Sequence, residues 1–191
     1  MSIERVTVRM YRNLLGDCFL LRIHENNGET RHILIDCGLL QGLKDAGARM
    51  RAIATDIVAT CNGFLDLLVI THEHWDHLSG FAQAKELLLD PESLRIGQLW
   101  LAWTENPEDA QAKALRARFE RRSLALAAFA ADSGDGELLD GLERFIGPRD
   151  LAGNPFGAAP SGRLTGRRIL DELKNQAGRV RYLEPGTVSS T

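Results

Sequence analysis

Val69-Ile70-Thr71-His72-Glu73-His74-Trp75-Asp76-His77-Leu78-Ser79-Gly80 continues the apolar run that begins at Leu67, and its H-x-H-x-D-H spacing decides how the rest of the chain is read. Four consecutive apolar residues, Leu67 to Ile70, read as a buried strand. In an extended segment side chains two apart point the same way, so His72 and His74 can close on one metal ion. A bend at Trp75 then turns Asp76 and His77 toward a second. Imidazole and carboxylate together suit zinc, with manganese or iron tolerated, and such ions act on water and on carbonyl or phosphoryl oxygens. Loop histidines are often merely solvated, but here three of the chain's five fall within six residues, beside a carboxylate and at a strand end. That clustering favours two divalent metal ions and hydrolytic chemistry.

Two more segments extend the pattern toward the N-terminus. Gly16-Asp17-Cys18-Phe19-Leu20-Leu21 reads as a strand, and Ile33-Leu34-Ile35-Asp36-Cys37-Gly38 as an apolar strand ending in Asp and Gly. With the histidine motif, these resemble the metallo-β-lactamase fold superfamily over roughly residues 3–100. The first segment is similar to the G-D-x-x-L-I strand of the branch typified by the hydrolase domain of competence-type DNA-uptake proteins. The resemblance implies an α/β (α+β) chain built as a four-layer αββα sandwich. It implies that Asp36 buttresses the metal loop rather than binding metal, and that Asp76 orients the attacking water as well as binding an ion.

The second half of the family's ligand set has no counterpart here. No histidine follows His77, and the only later Gly-Asp pair, Gly134-Asp135, reads as a polar turn. A two-sheet sandwich of this type needs more than 191 residues. The chain is therefore expected to supply the first half only: 1–106 with the metal motif, a helical insertion over 107–178, and the start of a further strand region over 179–191, apparently truncated.

Within this frame, Val6–Met10, Cys18–Ile23 and Ile33–Ile35 predict an antiparallel meander, with Asn26-Asn27-Gly28 as the turn between the last two. His24 and His32 flank that turn and are read as a surface cross-strand contact rather than a second metal pair. A helix is predicted over 44–59, another over 81–89 before Asp90-Pro91, and a strand over 96–101, which makes a β-α-β unit. Helices are expected over 108–131, 137–146 and 164–177, with a Gly- and Pro-rich loop over 147–162. Trp75 either walls a substrate pocket or packs beneath the metal loop.

Composition limits the remaining classes. The chain is 44% hydrophobic and 26% charged with net charge −3, as expected of a soluble globular protein. No segment is long and apolar enough for a membrane span or a secretion signal. Cys18, Cys37 and Cys61 are widely spaced and lack a C-x-x-C pair, which points to buried reduced thiols and a cytoplasmic location. Residues 1–110 carry 10 Lys and Arg against 16 Asp and Glu, whereas residues 111–191 carry 13 against 10. The basic half, with Arg163, Arg167 and Arg168, reads as a solvated surface, and no nucleic-acid-reading motif accompanies it.

The expected function is hydrolysis by a metal-bound hydroxide, with a phosphodiester or nucleotide, either a small molecule or nucleic acid, as the substrate class the resemblance favours. The alternative is a pseudoenzyme or assembly module that keeps the fold as a partner surface. An exposed sheet face in a half-sandwich predicts a homodimer or a partner chain that completes it.

Overall fold

The computed structural model describes residues 2–12, 16–39, 45–146 and 164–186, with backbone alone for 142–146. Three strands open the chain: β1 (Ile3–Met10), β2 (Cys18–Glu25) and β3 (Thr30–Cys37), paired as an antiparallel meander. Helix α1 (Ala46–Thr60) crosses to β4 (Phe64–Ile70), which pairs parallel to β3. Helices α2 (Trp75–Gln83) and α3 (Lys85–Leu88) lead to β5 (Arg95–Ala102), again parallel. A 3-10 turn at Trp103–Glu105 precedes α4 (Ala110–Ser133), α5 (Gly136–Ile146) and α6 (Gly166–Gln176). Strand β6 (Ala177–Leu183) then lies parallel to β5, closing a six-stranded mixed sheet in sequence order β1 to β6. The molecule is mixed α/β, as read from the sequence.

Among the described residues, helices cover one face of the sheet only. Leu20, Leu34, Leu68, Ile70, Leu99 and Leu101 are buried with Met50, Ala54 and Ile57 of α1, Leu78 and Phe81 of α2, and Ile169, Leu170 and Leu173 of α6. Their strand neighbours point the opposite way, as the period of two requires. Phe19, Leu21, Ile23, Ile33, Ile35, Leu67, Val69 and Trp100 remain half-exposed, and on the edge strand Val6, Val8 and Met10 are exposed at 48%, 59% and 58%. Among the described residues no element packs on this second face.

The stretch expected as an insertion divides in space. Helix α4 has only Ala112, Ser123 and Ala130 buried and packs against α5, whereas α6 contributes to the main core. The loop expected over 147–162, Arg163, the expected helix start at Lys44 and the last five residues lie outside the described residues.

Two local expectations are corrected. The helix predicted over 81–89 begins at Trp75, inside the motif, and breaks at Ala84, where φ is −127° and ψ is 42°. His24 and His32 are not opposite each other: His24 pairs with Thr30, and Arg22 with His32. The turn is the reason. Glu25 N–H donates to Glu29 O at 2.9 Å around a three-residue loop closed by Gly28 at φ 87°, which sets the register about Asn27.

Candidate metal centre

The site is assembled at the C-terminal ends of β3 and β4, where neighbouring parallel strands leave their crossovers. Strand β4 delivers Thr71 to His74, and His74, extended at φ −66° and ψ 151°, occupies the N-cap position of α2 without a side-chain capping bond. Asp76 and His77 therefore fall in the first turn of α2, folded back toward His72. Leu78 and Phe81 pin that helix to the sheet from the next turn and are fully buried. Burial of each is worth about 1.5–3 kcal/mol, enough to hold the loop's far end in place.

This geometry gathers the motif's side chains. The ring centroids of His72 and His74 are 4.5 Å apart, and those of His72 and His77 are 3.9 Å apart. Asp76 Oδ2 lies 3.5 Å from His77 Nε2, a separation two ligands of one ion can adopt. Burial, more than the neighbouring imidazoles, holds the His72 pKa below its ordinary value, and burial also lowers that of His74 against the pull of Asp76 and Glu73. Both rings are thus biased toward the neutral form that binds metal.

Asp36 stands behind the loop. It is 1% exposed and sits at φ 52°, at an irregularity where Phe19 pairs with Ile35 but Cys18 pairs with Cys37. The extra residue is a bulge whose left-handed backbone re-aims the carboxylate out of the ladder toward the motif. Asp36 Oδ1 accepts from Thr71 N–H at 2.8 Å, and Oδ2 accepts from Thr71 Oγ1 at 2.6 Å and from His77 Nδ1 at 2.8 Å.

Two arrangements for an ion compete around His77. Asp17, Asp36 and His77 Nδ1 form a group whose ligand atoms all lie within 4.8 Å. However, a separation of 2.8 Å between Nδ1 and Asp36 Oδ2 is a hydrogen bond, shorter than the roughly 3.4 Å that two tetrahedral zinc donors keep. With Nδ1 donating to Asp36, Nε2 is left as the ligand atom, on the side of Asp76. Asp76 Oδ1 is buried with no protein hydrogen-bond partner, an acceptor that a cation there would satisfy. The chemistry of these donors suits a divalent metal, which His72, His74, Asp76 and His77 would hold with Asp36 behind His77, although among the described residues only Asp17, Asp36 and His77 already bring three donor atoms within 4.8 Å of one another.

Close backbone contact completes the support, and it comes from residues the motif does not contain. Asp17 N–H donates to Asp76 O at 3.2 Å, and Gly38 N–H donates to Asp17 O at 3.1 Å. A Cβ on Gly38 would lie 2.0 Å from Asp76 O, and one on Gly16 would lie 2.5 Å from it. The sequence reading passed over Asp17, whose carboxylate is 3.8 Å from His77 Nδ1, and Thr71. Only the Gly-Asp pair before β2 and the hydroxyl residue before the first histidine could have signalled them.

Other residues singled out from the sequence fall elsewhere. Trp75 is 5% exposed and belongs to the core beneath the loop, not to a pocket wall. Asp135 caps α5, accepting from Leu138 N–H at 3.0 Å. His24 Nδ1 meets Thr30 Oγ1 at 3.1 Å. All three cysteines are free and buried, and no helix among the described residues is long and apolar enough to cross a membrane. Comparison with family models, with curated proteins and with solved structures found no match.

Proposed function

We propose that this chain carries the metal-binding half of a metal-dependent hydrolase of the metallo-β-lactamase type, acting on a phosphodiester or nucleotide. The observation that supports this most is the convergence of His72, His74, His77 and Asp76 at the end of β4, with a buried carboxylate fixing His77 from behind. His72 and His74 would hold one ion, Asp76 and His77 the other, with zinc the best match to the donors. Such ions, when bound, supply an acidified water and stabilise negative charge developing on the substrate. The chain's own part is to bury His72 and His74, which lowers their pKa values, to present Nε2 of His77, and to orient a water through Asp76. The substrate class rests on the resemblance of residues 16–21 to the competence-type branch.

Four protein donors for two ions fall short of the four that each closed tetrahedral zinc site takes, so the 191-residue chain should hold zinc weakly. Elemental analysis after dialysis checks this, and two tightly retained equivalents would show that further ligands are present. In the complete assembly, His72→Ala or His74→Ala should abolish both zinc uptake and cleavage of a nitrophenyl phosphodiester while the circular dichroism spectrum stays unchanged. Full turnover by the double variant would remove the assignment.

The uncovered sheet face favours a second reading, in which the fold serves as an assembly module with little or no turnover. The sandwich implied by the resemblance would lay a second sheet on that face, supplied by a second copy or a partner chain. The two readings separate on whether the completed assembly turns over substrate.

A further inference from the structure

We infer that the Thr71 hydroxyl is a positioning relay that ties His72 and His77 to the single carboxylate of Asp36, so that both imidazoles are locked with Nδ1 protonated and Nε2 free to bind metal. The inference rests on the metal-site reading above and adds a residue and a hydrogen-bond direction to it.

Proton counting carries the argument. A threonine hydroxyl has one proton to give and two lone pairs to receive. Thr71 Oγ1 lies 2.6 Å from Asp36 Oδ2, and a carboxylate there can only accept, so the hydroxyl proton is committed to Asp36. His72 Nδ1 lies 3.0 Å from the same hydroxyl oxygen. With that proton already spent, the contact is a hydrogen bond only if His72 Nδ1 carries a proton and donates. His77 Nδ1, at 2.8 Å from Asp36 Oδ2, donates for the same reason, and its 3.4 Å approach to Thr71 Oγ1 is secondary. Thr71 N–H donates to Asp36 Oδ1 at 2.8 Å, which fixes the carboxylate plane in which the other bonds are made. Two imidazoles that would otherwise each choose between tautomers are thereby set by one buried acid. His77 is set directly, and His72 through the Thr71 hydroxyl, which bridges it to Asp36.

The relay predicts a difference between two near-isosteric changes. Thr71→Val keeps the shape and the backbone N–H but removes the hydroxyl, and should lower zinc affinity by about tenfold or more, the usual cost of losing an outer hydrogen-bond partner of a metal ligand. Thr71→Ser restores the hydroxyl and should restore the affinity. Zinc affinity is read by competition with a chromophoric chelator, with urea unfolding as the control for a purely structural effect.

The second readout is the tautomer itself. Long-range nitrogen–proton correlation spectra of the metal-free wild-type chain should place the His72 and His77 protons on Nδ1, and in Thr71→Val only His72 should lose that preference. His72 protonated on Nε2 in the wild type overturns the relay, even if the valine variant proves unable to fold. Thr71→Val that matches Thr71→Ser in zinc affinity and tautomer also overturns it. A complete assembly that takes up no zinc and cleaves no phosphodiester, while the chain still shows both Nδ1 tautomers, would instead remove the hydrolase reading and leave the relay standing.

Discussion

Asp76 is the residue on which the site's geometry turns, because its backbone is gripped while its side chain is the one proposed to meet the ions. Its carbonyl sits against Gly16 and Gly38 and accepts from Asp17 N–H, so the first turn of α2 is clamped between the start of β2 and the end of β3. A methyl group at Gly38 meets backbone rather than a flexible side-chain tip, and it can be admitted only if the motif moves away. Gly38→Ala should therefore destabilise the fold by about 1–3 kcal/mol, the range for overpacking a tight contact. It should also weaken zinc uptake more than an alanine at exposed Gly141, where an added Cβ meets nothing within 4 Å. Urea midpoints and chelator competition on the two variants measure this, and equal behaviour would show that the clamp is soft.

At the scale of elements, β3 links the two ends of the sheet. Near its C-terminal end Asp36 reaches Thr71 and His77, while at its other end His32 N–H donates to Asp66 Oδ2 at 2.8 Å, where the ladder between β3 and β4 runs out. Arg31 joins the same corner, with Glu25 at 3.2 Å, Glu29 at 3.0 Å and Asp66 at 3.2 Å. Burial lowers the His32 pKa, with Arg22 and His24 adding to it and Asp66 opposing. A histidine depressed in the folded state takes up its proton more readily when unfolded, so ν of the unfolded state exceeds ν of the folded state once pH falls below about 6.5. His32 therefore contributes a loss of stability as pH drops from about 6.5 toward its folded pKa, and nothing above that window. Unfolding free energies at pH 7.5 and pH 5.5 should differ less in His32→Gln than in the wild type; an unchanged difference would assign the acid sensitivity elsewhere.

At the scale of the whole molecule, the dominant feature is a six-stranded sheet with helices on one face. The other face carries aromatic and branched side chains from β1 to β5, the composition of a buried layer rather than a solvated one. β1 adds an edge whose exposed Val6, Val8 and Met10 have no charged neighbour on the same face between them. The isolated chain should therefore associate. Light scattering at low micromolar concentration should find a particle larger than 21.1 kDa, and a fluorescent hydrophobic dye should bind wherever the face stays open. A monodisperse monomer that leaves the dye dark would show that the chain covers this face itself.

The sequence by itself determined what local pattern can encode. Alternating and continuous apolar runs placed the strands, Asn26-Asn27-Gly28 placed the hairpin, and the spacing of His72, His74, Asp76 and His77 fixed which side chains leave one strand end together. It did not fix the register of the hairpin, because one residue in the turn decides whether His24 faces His32 or Thr30. It did not place the start of α2 either, since Trp75 to Gly80 carries no strong cap and its helix is stabilised by burying Leu78 and Phe81 against strands distant in sequence. Only the tertiary structure decided that a bulge turns Asp36 toward Thr71 and His77, and that Gly16 and Gly38 close on the carbonyl of Asp76. Those are contacts between residues some 35 to 60 positions apart, and no periodicity along the chain records which backbone atoms will meet across a sheet.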